Sequence, residues 1–288
     1  MSEVEQALKD MSEKYRVGLA QLQAQVENTK RSDSRQYPAA KQQQAMFCKE
    51  QWLIDKAREL AGGKQAAITE IETVLRSRAA HAHTRLLAAL LLVMIDSARS
   101  LEMLVGRIVD QLDTDTLRFF CAMQIGNSRN AAACPLILRA INDPSTNEEF
   151  DENAKLRAKM IDAGVSVNLR RAMIWGLLDS PGGTDALAAR VRAPLSFQNG
   201  WLFAIISFWQ KTGSESHIVL AAEVLKNWGN PETLRVNAAT ALYMMRRESK
   251  GKSTFPKAAW DALHSVWGER DHGALHSVVG EVLKLQGA

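Results

Sequence analysis

The sequence predicts an all-α protein: a right-handed α-solenoid of about six helix pairs, with an N-terminal helix and a C-terminal cap helix. Three observations lead there. Leu and Ala dominate a 288-residue chain that is 46% hydrophobic and 24% charged, a balance typical of a soluble globular protein rich in helix formers. Seven prolines and seventeen glycines are too few turn-formers for an all-β fold with many hairpins. Finally, the chain repeats itself. Arg85, Arg118, Arg170 and Arg235 each open an amphipathic helix, with small residues mostly following three and four positions later, at Arg-to-Arg steps of 33, 52 and 65 residues. The last step spans two repeats, with a degenerate copy at Gln198 to Trp209 in which Trp201 takes the Arg position. The middle step is one repeat plus an insertion of roughly 20 residues, long enough to mark a loop that interrupts the period.

The elements follow in order. A first helix, about 2–30, places Val4, Leu8, Met11, Tyr15, Leu19, Leu22 and Val26 on one face. That face suits docking against the repeats as an N-terminal cap, or self-association through this arm. The stretch Thr29 to Ala40 is polar and basic and reads as a linker, so residues 1–40 form a leading segment and 41–288 the repeat body. Six pairs are expected at 41–61 with 64–79, 82–96 with 99–112, 115–127 with 131–142, 167–179 with 183–193, 197–211 with 216–228, and 231–248 with 256–268. A helix at about 271–286 caps them. Asp143-Pro144, Ser180-Pro181-Gly182-Gly183 and Gly229-Asn230-Pro231 supply joints between helices. Each pair is too small to build its own core, so stacking makes it. The insertion near 144–165 is acidic at its start (Glu148, Glu149, Asp151, Glu152) and is read as a solvated loop or a partner-specific contact.

The motifs Asp113-Thr-Asp115-Thr-Leu-Arg118 and Asn230-Pro-Glu232-Thr-Leu-Arg235 carry a resemblance. With a period near 32, the chain resembles the HEAT-repeat family, especially the short variety first noticed in phycobilisome lyases. The resemblance implies an Asp–Arg ladder between successive repeats and small residues that let neighbouring helices approach. It also implies that second helices line a concave face. The family covers scaffolds, inhibitors and a few enzymes.

Second helices share a pattern of their own: Leu104-x-x-Arg107, Leu136-x-x-Arg139 and Leu187-x-x-Arg190 align, with Leu220-x-x-Glu223 as the variant. Stacking would set Arg107, Arg139 and Arg190 in a row, extended by Arg192 and Lys226. They form either a solvated ridge paired with Glu102, Asp110 and Glu223, or a surface for an acidic protein partner, since guanidinium suits carboxylates. The leading expectation is therefore a non-enzymatic adaptor, regulator or inhibitor that binds a protein on its concave face. The alternative is a nucleic-acid-binding solenoid similar to HEAT-like alkylpurine DNA glycosylases, which use aromatic residues and an Asp. Here Trp175 and Asp179 have the spacing, but Trp175 belongs to a first helix.

Other chemistry is thin. The net charge of +4 is spread over two mildly basic zones, not gathered as a strong nucleic-acid binder would gather it. No nucleophile elbow, phosphate loop or dinucleotide fingerprint occurs, so no catalytic residue and no cofactor is expected. His272 and His276 have metal-ligand spacing, yet Gly273 stands where a zincin needs Glu, and both fall on the polar edge of the terminal helix; no metal is expected. His81 and His83 sit at a helix start and read as capping or solvated residues. Cys48, Cys121 and Cys134 are an odd, widely spaced set that fits reduced core thiols and a cytoplasmic setting. The longest apolar run, Leu86 to Ile95, is ten residues, about half a bilayer span.

Overall fold

The structure is a computed structural model describing residues 3–31, 65–146, 169–249, 255–269 and 273–286, with the single positions 55 and 59. The linker beyond residue 31, the first member of the first pair, the insertion from 147 to 168 and His272 lie outside the described residues. Those described hold fourteen α-helices and no strand. They are α1 (Glu3–Lys14), α2 (Arg16–Arg31), α3 (Gln65–Arg76), α4 (Ala82–Ile95), α5 (Ala98–Val109), α6 (Asp115–Ile125), α7 (Ala133–Asn142), α8 (Leu169–Asp179), α9 (Gly183–Arg192), α10 (Gln198–Thr212), α11 (Glu215–Lys226), α12 (Glu232–Glu248), α13 (Lys257–Trp267) and α14 (Ala274–Leu283). The chain is all-α, and each described helix lies within a few residues of its expected place.

The helices gather into two compact units that part between Thr184 and Asp185, at the start of α9. In the N-terminal unit the first helices pack as α4, α6, α8 and the second helices as α3, α5, α7. Each second helix also packs on the first helix that follows it: α3 on α4, α5 on α6, α7 on α8. The C-terminal unit repeats the scheme, with α10, α12 and α14 side by side, α11 beside α13, α11 on α12 and α13 on α14. The terminal helix thus occupies the place of one more first helix.

The two layers differ because their sequences differ. First helices are apolar nearly all round and are buried nearly all round. Arg85 through Val93 of α4 and Leu169 through Leu178 of α8 are continuously buried. Second helices bury a single stripe: Leu101, Leu104, Val105 and Ile108 of α5, and Ala133, Leu136, Ile137, Ala140 and Ile141 of α7. Side-chain hydroxyls open several helices, with Ser97 accepting from the Ser100 amide and Thr114 from the Leu117 amide. His81 does the same through its ring for the amide of His83, which bears out the capping expectation.

The described part of the leading segment, residues 3–31, is docked on the repeats. It forms two helices that meet at Tyr15 where one was expected, with the Tyr15 amide still bonded to the Met11 carbonyl at 3.0 Å. Val4, Leu8, Met11 and Leu19 are buried, α1 lying on α3 and α4, and α2 across α4 and α6. Those apolar side chains are covered by the chain's own helices and so are not on offer for self-association. At one point in this unit the first helices come very close. A Cβ on Gly126, just after α6, would collide with the Cα of Gly176 in α8, so only glycine fits there.

Candidate functional site

The recurring helix-opening arginines are structural. Arg85 donates from Nε to the Leu75 carbonyl at 2.8 Å, Arg118 to that of Ile108 at 2.9 Å, and Arg235 to that of Leu225 at 2.9 Å, in each case ten residues back. A guanidinium there satisfies a carbonyl left open at the preceding helix C-terminus and meets the negative end of its dipole. Arg170 makes the same bond to Ile141, 29 residues back, so the insertion leaves the joint intact. In Arg85, Arg118 and Arg235 the second arm of the guanidinium reaches the next turn. Arg85 pairs with buried Asp113 at 2.5 Å, Arg118 donates to the Ser145 carbonyl at 2.8 Å, and Arg235 holds both oxygens of Glu269 at 3.0 Å. The ladder implied by the resemblance is present at the Asp113 motif.

This network also claims Arg107. Its guanidinium lies 3.0 Å from Asp110 and 3.1 Å from Asp113, and its side chain is 15% exposed. Arg78 approaches Asp110 at 3.2 Å from the other side. Burial works against the charged Asp110 carboxylate, but the Leu112 amide, Arg107 and Arg78 outweigh it and hold the carboxyl below its usual range. Arg107 therefore stands apart from the other candidates. Arg139, Arg192 and Lys226 are exposed and Arg190 is half-buried. Arg107 and Arg139 belong to the N-terminal unit, the other three to the C-terminal unit.

Arg192 stands at a cleft in the C-terminal unit. Second helices pack side by side at α3 with α5, α5 with α7, and α11 with α13, and a cleft lies between α9 and α11. It has a volume of about 470 Å³ and is lined by Val191 and Arg192 of α9, Phe208 of α10, and His217, Leu220 and Glu223 of α11, among others. The His217 imidazole stacks on Phe208, with ring centroids 5.4 Å apart and planes 14° from parallel. Burial lowers its pKa, with a smaller push from the charge of Arg192 and an opposing pull from the Ser214 backbone. The cleft thus joins an apolar floor, a neutral imidazole, a cation and a carboxylate. Leu220 and Glu223 marked the variant helix in the sequence, but nothing in their pattern pointed to a cleft, because its floor comes from Phe208 on another helix.

No family model matches the chain, and no curated protein does. Among solved structures it is similar to the complex of CpcE and CpcF of phycocyanin lyase from Nostoc sp. PCC7120, with 14% identity and a TM-score of 0.33 over 91% of this chain and 93% of that one.

The tryptophans of the chain and the histidine pair of the terminal helix resolve individually. Trp175 and Trp201 are interior, Trp209 and Trp260 half-buried, while Trp228 and Trp267 are 65% and 50% exposed; Trp52 lies outside the described residues. His276 was expected on a polar edge but is buried, its Nε2 3.3 Å from the Trp267 carbonyl and its ring against the Trp267 indole. Helix α14 packs on both α12 and α13, which encloses that edge. Among the described residues no group of three His, Cys, Asp or Glu could hold a metal, and no helix is long and apolar enough to cross a membrane.

Proposed function

We propose that this chain is a non-enzymatic binding module that holds an acidic protein partner on the outward face of its second helices, as an adaptor, regulator or inhibitor in the cytoplasm. The observation that carries this reading is the division of the arginines. Those that open first helices are turned inward to carbonyls and carboxylates of the fold. On the second helices, Arg139, Arg192 and Lys226 are exposed, and no ion pair to them is found among the described residues. Exposed cations on helices favour carboxylate recognition, Arg139 in the N-terminal unit and Arg192 and Lys226 in the C-terminal unit.

The test is charge reversal. Arg139→Glu should weaken binding of the partner captured by the wild-type chain, with an unchanged melting temperature; unchanged affinity would remove Arg139 from the binding face. Arg107→Glu should instead destabilise the fold, because Arg107 sits between two carboxylates.

Nucleic acid binding has weaker support. A base-stacking groove needs aromatic faces beside free cations. The exposed Trp228 lies over Arg235, 4.3 Å from ring centroid to guanidinium carbon, and that guanidinium is already held by Glu269 and Leu225. A mobility-shift assay at two salt concentrations decides the matter, since phosphate-driven binding weakens steeply with salt.

A further inference from the structure

We infer that the cleft between α9 and α11 is the partner's anchor point and takes a peptide segment in which a carboxylate adjoins an apolar side chain, the carboxylate meeting Arg192 and the side chain lying on Phe208 and Leu220. This rests on the protein-binding reading above and gives it a place and a ligand chemistry.

Four observations converge. Residues of α9 and α11 face each other across a cleft, while α11 and α13 pack side by side next to it. The opening, about 470 Å³, is floored by Val191, Phe208 and Leu220, an apolar seat of the kind in which interface anchors bury. Arg192 reaches this cleft, is exposed, and is in no ion pair among the described residues, so a carboxylate can approach it without displacing a partner. Glu223 lines the same cleft. Its charge disfavours a polyanion such as a nucleic acid backbone and favours an occupant that brings a hydrogen-bond donor along with its carboxylate. A peptide does so through its main-chain N–H.

The groups that face His217 are Arg192 from α9 and Thr212 from α10, whose hydroxyl lies 3.4 Å from Nδ1, with Glu223 along its own helix. Being neutral, the imidazole adds no second cation, which keeps the charge preference on Arg192.

The experiment is selection of a displayed random heptapeptide library on the intact protein, followed by fluorescence anisotropy of the selected peptides. Selected sequences should place Asp or Glu next to an aromatic or aliphatic residue. Arg192→Glu, and replacement of the peptide's carboxylate by its amide, should each raise Kd at least about tenfold. Ala188 also lines the cleft, and Ala188→Trp, which fills it without altering charge, should do the same, with thermal melts confirming that both variants fold. Selected peptides without acidic residues, no enrichment at all, or equal binding to both variants would each overturn the cleft assignment. Capture of the full-length partner separates the two ideas. Loss with Arg139→Glu but not with Arg192→Glu or Ala188→Trp leaves the binding face and removes the cleft; indifference to all three removes both.

Discussion

Trp201 donates its indole N–H to the Val191 carbonyl at 2.8 Å, from the place where Arg85, Arg118 and Arg235 put a guanidinium on the carbonyl ten residues back. The indole caps the preceding helix without bringing a charge. The next turn answers that change. Where Asp113 stands five residues before Arg118 and pairs with Arg85, Asn230 stands five residues before Arg235 and turns its amide to the Val224 carbonyl at 2.9 Å. An aspartate there would be a buried carboxylate without the cation that Arg85 supplies to Asp113, a costly arrangement. The two departures from the repeat compensate each other.

Removing one member of the charged version should be expensive. Arg85→Met leaves the Asp113 carboxylate buried without its closest cation and the Leu75 carbonyl uncapped, and should cost about 3–5 kcal/mol in urea unfolding. The double variant Arg85→Met with Asp113→Leu should recover part of that loss. If the double variant is as unstable as the sum of the singles, the pair is not coupled.

The neutral version is tested at Trp201. Trp201→Phe deletes the N–H and trims a fully buried indole to a smaller ring, so the cost of an unsatisfied buried carbonyl, about 1–3 kcal/mol, adds to that of the cavity left behind. Chemical denaturation of the full chain measures it, and a neutral result would mean that the carbonyl finds another donor.

Gly126→Ala should destabilise the N-terminal unit, because the added methyl meets the Gly176 backbone and not a side chain that can swing away. Overpacking of this kind costs about 1–3 kcal/mol. Hydrogen exchange should show faster opening of α6 and α8, and no change in either helix would contradict the close approach.

Burial lowers the pKa of His217, and that of His83 as well, the latter also pushed down by His81 and Arg16. The unfolded chain then binds more protons than the folded one between the lowered values and the ordinary value near 6.5. Stability therefore rises with pH across that window, is level above it, and is lost on acidification. Melting temperatures from pH 5 to 8 should show this slope, and His217→Gln with His83→Gln should flatten it.

The thiols should differ in reactivity. Burial pushes Cys121 up to about 12, whereas Cys134 is half-buried and is raised by burial as well. A thiol reagent at pH 8, mapped by mass spectrometry, should modify Cys134 well before Cys121 in the native protein, and both equally in denaturant.

Much of the fold was legible in the residues. Helix positions, the Arg register, the Trp201 substitution and the length of the insertion all follow from apolar periodicity and from residues that recur at a fixed spacing. The site was less legible. The alignment that put Arg107 in a row with Arg139 could not show that Asp110 and Asp113 hold it from two sides, because Asp113 is placed by the pairing of α5 with α6. The burial of His276 escaped in the same way, since it is the packing of α14 on two helices that encloses it.

By itself, then, the sequence determined a repeating two-layer architecture, because a helix apolar all round must be an inner one and a helix with one apolar stripe an outer one. Only the tertiary structure decided which arginines are consumed by the fold and which remain exposed, and where a cleft lies between second helices. Those outcomes depend on distances between side chains from different helices, Arg107 to Asp113 and Arg192 to His217 and Phe208, and no local pattern along a single helix encodes them.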